Sequence, residues 1–521
     1  MGRNRGGGYY FPPDPGVYRR RRPPRGRFTR LLMLLVVAAL LGATAWVLLR
    51  RSGPDDTVPL VVLGIAAADG QLTRLAGAQV TGPDGGAVTA DDNGALVLHF
   101  LPPARLEVAA PGYETGVFRV EEVPAGGPIG LQLTPVVLTG RVVDGDGNGI
   151  AAAVQTASRE VATEADGSFE LVAALPGAVT ATRPAWLPTT REWDGSSGEF
   201  EIVMEPLIVR GVRVYGPVAG SPTEFARLLE MIEGTVVNTL VFDTKEENGH
   251  VLYDSQVADA QDTGAVNSMY DAAAVLTAAQ ERGYYAITRI ATFQDPIWAP
   301  AHPEHAARNT ATGGVWENSR GLAWSDPTDR EAWEYPLALA VEACRLGFDE
   351  IQFDYVRFPS DGDVSLLGYD EPVDEEVRSA TIAAFLAEAR ERLHPEGCAV
   401  SADIFAIVLS FPNDQGIGQR LEEVSTSVDF LSPMVYPSHY SAGWLGFDDP
   451  NDHPAEVVSQ ALDAGLPRLQ GALFRPWIQA FFYDAGQIAE EIEEAEERGL
   501  GWLLWNATSQ FEADWFPRSS G

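Results

Sequence analysis

The chain has 521 residues, enough for several domains, and 45% of them are hydrophobic, with 12 Trp, 15 Tyr and 22 Phe; this excludes a mostly disordered protein. The formal charge of −36 is unevenly placed: residues 1–51 carry 11 Arg and one acid, leaving −46 for the rest, a field that argues against nucleic-acid binding by the body of the protein. Two cysteines, Cys344 and Cys398, are too few for a disulfide scaffold or a cysteine-based zinc site, although outside the cell they can pair with each other.

Residues 1–30 form a Gly/Pro/Arg-rich tail read as disordered and cytoplasmic. Residues 31–49 (LLMLLVVAALLGATAWVLL) carry no charge and reach about 28 Å as a helix, the thickness of bilayer hydrocarbon. Nine Arg precede this run and Asp55–Asp56 follow it, so the positive-inside rule places residues 52–521 outside the cell. A cleaved signal peptide is the alternative, since Ala43-Thr44-Ala45 resembles a peptidase site. The apolar run continues past that point, which favours an uncleaved anchor.

Short Val-, Thr- and Gly-rich strands broken by turns fill residues 58–206, and the pattern repeats: DDNGALVLHF (91–100) returns as EADGSFELVA (164–173), 73 residues on. Two small β-sandwiches are expected, at 58–135 and 136–206, together forming a stalk. In the second, DGDGNG (144–149) has the start of a calcium loop but Gln155 where the bidentate Glu belongs, so a hairpin turn is the expectation. Its run LTGRVVDGDGNGIAAAVQ, followed by ADGSFEL and ALPGAVTATRPAW, resembles the carboxypeptidase regulatory-like, prealbumin-type sandwich.

From residue 207 to 521 strands alternate with helices. Strand candidates fall at 208–216, 237–245, 284–293, 349–358, 399–407, 428–437, 468–476 and 501–507, with helical patterns at 222–234, 269–283, 329–347, 374–393, 454–465 and 484–499. Eight strands over about 315 residues predict a (β/α)8 barrel of the TIM type. In such barrels chemistry sits at the C-terminal strand ends. Those ends carry Asp243, Lys245 and Glu246; Arg289; Asp354 and Arg357; Asp403; Tyr436 and His439; Arg475, Trp477 and Gln479; and Trp505 and Asn506. Strand parity puts Asp243 with Lys245 on one face, and likewise Gln352 with Asp354 and Ser401 with Asp403.

Five segments, VFDTKEENG (241–249), FDEIQFDYVRFPSDG (348–362), FLSPMVYPSHY (430–440), FRPWIQAF (474–481) and GWLLWNA (501–507), resemble a glycoside hydrolase family first defined as a domain of unknown function. Its members are similar to α-amylase-type and other retaining barrel glycosidases, and the resemblance implies a catalytic carboxylate at Asp354. Independently, a carboxylate ending an apolar strand needs a use or a partner; a structural pairing with Arg357 is the competing reading. Asp403 ends the adjacent strand, so the two carboxyls are expected about 5–6 Å apart, the separation of a retaining pair. Asp403 stands where α-amylase-like enzymes carry Glu, and acid/base and sugar-binding roles both stay open. Lys245 is the single lysine beside 36 Arg, which suggests a site needing a compact ammonium; chance retention is the alternative.

The functional expectation is a membrane-anchored extracellular glycoside hydrolase of an oligo- or polysaccharide. A non-catalytic glycan-binding barrel, or another carbohydrate-active enzyme such as a deacetylase or lyase, is the alternative. Of the seven His, only His302 and His305 lie close in sequence and none forms a helical ligand pair, so no metal or other cofactor is expected. The expected partners are a carbohydrate and the membrane, not nucleic acid.

Overall fold

The structure, a computed structural model, describes residues 56–65, 70–124, 126–196, 198 and 200–519. The tail 1–30 and the apolar run 31–49 lie outside the described residues. Among the described residues no helix is long and apolar enough to cross a membrane.

The two β-rich segments share one pairing pattern. In the first, Thr57–Ile65 pairs antiparallel with Ala95–His99 and Leu72–Arg74 and parallel with Ile129–Leu133. A second sheet joins Ala87–Thr89, Gln79–Thr81, Ala104–Ala109 and Gly116–Val120. Alternation does the packing: along Ala104–Ala109 the side chains run buried, exposed, buried, exposed, with Leu106 and Val108 in the core. In the second segment Val137–Val143 lies between Ser168–Val172 and a parallel Phe200–Val203, and the other sheet runs Glu160–Ala162, Ala153–Gln155, Gly177–Thr182, Thr189–Trp193. The 73-residue repeat is thus a repeat of strand pairing. At the DGDGNG turn, Asp144 Oδ1 accepts the backbone N–H groups of Asp146 and Asn148 at 2.9 and 2.8 Å, and Oδ2 accepts the Asn148 amide at 2.9 Å. That carboxylate is spent on closing a hairpin turn.

Eight parallel strands close the barrel: β1 Arg210–Arg213, β2 Thr239–Lys245, β3 Tyr285–Ala291, β4 Glu350–Asp354, β5 Ala399–Phe405, β6 Phe430–Val435, β7 in two pieces (Leu473–Phe474 and Trp477–Gln479) and β8 Trp502–Trp505. Each pairs with the next, and β8 returns to β1. The connecting helices include α1 Pro222–Ile232, α2 Ala272–Gln280, α3 Glu331–Leu346, α4 Glu375–Leu393, α5 Leu421–Val424, α6 Pro454–Gly465 and α7 Ala485–Glu496. Their ends are locally encoded. Ser221 caps α1 by accepting the Glu224 N–H, with Pro222 at the first helical position. Gly347 stops α3 at φ 110°, a conformation that a side chain would strain.

Strand parity sorts the side chains. Leu240, Phe242, Ile351, Phe353, Ala402 and Ile404 point outward and join Leu228, Leu276, Leu339 and Phe385 of the helices. Val241, Ile287, Ala399, Phe430, Trp477 and Leu503 belong to the barrel's interior cluster. Each buried Val, Leu, Ile or Phe among them contributes about 1.5–3 kcal/mol. Ala185, from a turn of the second sandwich, is part of that interior cluster, with Trp186 and Leu207 packed against it. The sandwich therefore supplies part of the barrel floor. At the same end Cys344 and Cys398 form a disulfide with a Cα–Cα distance of 6.0 Å, tying the end of α3 to the start of β5.

Candidate active site at the C-terminal mouth of the barrel

A cleft of about 720 Å³ opens where the strands end, and its walls come from the ends of β3 to β8 and the residues just past them: Arg289, Asp354, Tyr355, Arg357, Asp403, Phe405, Met434, Tyr436, His439, Trp477 and Trp505, with Glu247, Phe411, Tyr440 and Trp444 from the loops.

Asp354 is the last residue of β4. Its Oδ1 accepts the N–H of Tyr355 at 2.6 Å, and Tyr355 sits at φ 48°, a left-handed conformation unusual for a bulky residue, which turns the chain sharply away from the strand. Its Oδ2 accepts from Arg289 Nε at 2.8 Å. Arg289 is almost fully buried and also donates to Asp243 at 2.8 Å and to Glu247 at 3.3 Å. Asp243 in turn accepts from Arg213 at 2.6 Å. The chain Arg213–Asp243–Arg289–Asp354 thus holds a carboxylate at the cleft with two guanidiniums behind it, all below 10% exposure.

Asp403 is placed differently. Phe353 and Ala402 are register partners, so Asp354 and Asp403 emerge side by side from β4 and β5, strands about 4.8 Å apart. Asp403 is 1% exposed and accepts one hydrogen bond, from Trp477 Nε1 to Oδ1 at 2.7 Å. Burial pushes its carboxyl well above the usual carboxylate range, and the negative Asp354 next to it pushes the same way; Arg289 and the Trp477 bond pull back without cancelling them. One carboxyl is ion-paired to a guanidinium, and its neighbour is pushed toward the protonated form. Paired acids with environments this different divide base and acid roles between them.

The aromatic wall is built from contacts among the strand ends. Trp477 meets Trp505 edge-on at 5.4 Å, and Arg213 and Arg289 lie over the Trp505 ring at 4.5 and 5.1 Å. Tyr436 packs edge-on against His439 at 5.3 Å; burial pushes the Tyr436 hydroxyl up and the His439 imidazole down, favouring the neutral form of each.

Eight of the residues expected at the mouth line the cleft: Arg289, Asp354, Arg357, Asp403, Tyr436, His439, Trp477 and Trp505. Six lie elsewhere, each for a local reason. A bulge between Asp243 and Lys245 shifts the β2–β3 register, so the two do not share a face. Asp243 sits behind Arg289. Lys245 is fully buried, 2.5 Å from Asp295 and beneath the Tyr335 ring at 5.2 Å, away from the cleft. Glu246 folds back toward Arg213 at 3.6 Å, and its neighbour Glu247 takes the cleft position. Arg475 is held inside the barrel by Glu350. Gln479 accepts from Ser438 at 2.7 Å and donates to Asn451 at 3.1 Å, and Asn506 donates to Ala480 at 2.7 Å; these two brace loops. Sequence reasoning missed Arg213, whose signal was a charge inside the apolar run IVRGVRVYG, and Glu247, Phe405, Phe411 and Trp444.

A closed parallel barrel whose aromatic-walled mouth holds two adjacent carboxyls is the architecture of a carbohydrate-active barrel enzyme. Residues 211–511 match the family described as "Putative glycosyl hydrolase domain", and the chain belongs to that family. No match is found among curated proteins. Among solved structures, a hypothetical protein from Ruminiclostridium thermocellum is 33% identical over 37% of this chain and 96% of its own, with a TM-score of 0.34. The glycoside hydrolase domain of PgaB from Bordetella bronchiseptica is 14% identical over 58% of this chain and 95% of its own, TM-score 0.45. That of PelA from Pseudomonas aeruginosa is 12% identical over 59% and 98%, TM-score 0.36. At these scores the likenesses add nothing to the fold traced above.

Proposed function

We propose that the chain is a glycoside hydrolase that cleaves an oligo- or polysaccharide with retention of anomeric configuration, and that an uncleaved N-terminal helix anchors it outside the cell. The observation that carries the catalytic reading is the contrast between Asp354, ion-paired to Arg289, and Asp403, buried on the adjacent strand with no cation bonded to it and its carboxyl pushed upward by burial. In the first step an Asp354 oxygen attacks the anomeric carbon, the glycosidic C–O bond breaks, and the Asp403 proton passes to the leaving oxygen. The product is a glycosyl ester on Asp354 and a free hydroxyl. In the second step Asp403, now a carboxylate, takes a proton from water as that water displaces Asp354 from the anomeric carbon. Arg289 offsets the charge that returns to Asp354. Tyr436, Trp477 and Trp505 offer faces and edges to sugar rings.

The anchor reading is supported by the uncharged run at 31–49 and the arginines before it. The disulfide suits an oxidising compartment. In this reading the two sandwiches are spacers.

The leaving-group requirement provides the test. Asp403→Asn should lose hydrolysis of natural glycosides but still release the aryl group of activated aryl glycosides in a single burst, because that leaving group needs no proton while the second step has lost its base. An aryl burst slowed as much as the attack on natural glycosides would remove Asp403 from the acid role.

A further inference from the structure

Arg357 is unlike the other charged residues of the cleft. It lies three residues past Asp354 in the segment Asp354-Tyr355-Val356-Arg357 and is 6% exposed. Its guanidinium packs among three aromatic rings, Phe405 at 4.7 Å, Trp324 at 4.8 Å and Tyr355 at 5.3 Å. One end is tied down: Nη1 donates to the Phe358 carbonyl at 3.1 Å and to Ser360 Oγ at 3.0 Å. The opposite edge, Nε and Nη2, has no hydrogen-bond partner among the described residues, and no carboxylate there lies within ion-pair distance. Asp354 and Asp361 act on Arg357 only at longer range. Arg289, by contrast, is satisfied by three carboxylates.

A nearly buried cation lining a cleft is tolerable while water fills that cleft, and costly once a ligand displaces the water without supplying an anion. The free Nε–Nη2 edge presents two parallel N–H donors, the fork that matches a carboxylate. We propose that Arg357 is a specificity residue that binds the carboxylate of an acidic sugar, so that the natural substrate is an oligosaccharide containing a uronosyl or similar carboxyl-bearing unit. The proposal rests on the glycosidase reading for its placement beside the cleaved bond. A sugar carboxylate fits better than a dianionic phosphate, because Asp354 and Glu247 face the same cleft. The acidic exterior repels dense polyanions at long range, but that field is screened beyond about 8–10 Å at physiological salt, so a locally read carboxylate is compatible with it.

The test compares oligouronides of glucuronic, galacturonic and mannuronic acid with the same oligosaccharides after reduction of each carboxyl to a primary alcohol, and with a sulfated neutral oligosaccharide. Binding by calorimetry and reducing-end release are both measured with the full-length protein. At least one oligouronide should be preferred over its reduced form by about tenfold to a hundredfold, the value of a hydrogen-bonded charge pair. In Arg357→Gln that ratio should fall to near one. Should Arg357→Gln not fold, as judged by its melting curve, Arg357→Lys keeps the charge without the fork and should still lower the ratio severalfold.

Equal handling of charged and reduced oligosaccharides, a ratio unchanged in a folded Arg357 variant, a preference for the sulfated compound, or binding of none of them would each overturn the proposal. Cleavage of the reduced forms would leave the glycosidase reading standing in that event. Conversely, Arg357-dependent binding of an oligouronide without any cleavage would sustain the specificity proposal and sink the glycosidase reading.

Discussion

Trp477→Phe isolates the proton on Asp403. The indole N–H donates to Asp403 Oδ1 at 2.7 Å in a site that is 1% exposed, and it favours the carboxylate form. Phenylalanine keeps most of the ring and removes the donor. A hydrogen bond to a charged group is worth about 1.5–3 kcal/mol, and one pK unit is about 1.4 kcal/mol, so the ceiling on the shift is about one to two units. The sign follows from which form loses its partner: the carboxylate is destabilised, the proton binds more tightly, and Asp403 stays an acid to higher pH. Plotted against pH, kcat/KM reports the free enzyme's acid on its basic limb. That limb should move upward in the variant. The lost edge contact with Trp505 will lower the height of the curve without moving its limb. A basic limb that stays fixed or moves to lower pH would refute Asp403 as the proton donor.

Three further outcomes follow from buried groups. Lys245→Arg should lower stability by about 1–3 kcal/mol through overpacking against Asp295 and Tyr335, with the pH profile of the remaining activity unmoved; a shifted pH optimum at unchanged melting temperature would contradict the burial argument. Cys398→Ser opens a link between residues 54 apart, which chain entropy values at about 4 kcal/mol, so its melting temperature should fall to that of the reduced wild type and respond no further to reductant. Glu491, on α7, is buried with neither carboxyl oxygen hydrogen-bonded, and burial pushes its pKa well up. The folded state therefore holds a proton that the unfolded chain releases above about pH 4.3, and stability falls as pH rises from there toward the folded pKa. Glu491→Met should be more stable than wild type by about 1–3 kcal/mol at neutral pH, with the gap closing in acid; a gap that widens in acid would reverse the assignment.

The barrel was legible because its signals are local. Each strand from β1 to β6 and β8 lies inside its expected window, and the helix ends carry caps such as Ser221 and Gly347. β7 is the exception. It breaks at Arg475–Pro476, where proline has no N–H for the ladder and Arg475 turns inward to Glu350. At the mouth, simple parity located Asp354 and Asp403, since β4 and β5 are evenly pleated there. The same rule failed at Lys245 because a bulge is a property of two paired strands, and one strand's residues do not announce it. Arg357 was legible as a charge near Asp354, but its free edge depends on Phe405 and Trp324, brought in from distant segments. Phe411 and Trp444 lie in loops without periodicity. The floor contributed by Ala185 was also missed; a barrel fragment starting at residue 207 would lose it, so activity screens belong on chains that keep the second sandwich.

In the proposed mechanism Asp354 carries the sugar between the two chemical steps. The most direct measurement is mass spectrometry of the protein after incubation with activated 2-deoxy-2-fluoro glycosides of whichever sugars the hydrolysis screen identifies, since these slow the second step and let the ester accumulate. One added glycosyl unit is expected, located by peptide fragmentation on Asp354 and absent from Asp354→Asn. An adduct on Asp403, or no adduct together with a first-formed product of inverted anomeric configuration, would contradict it.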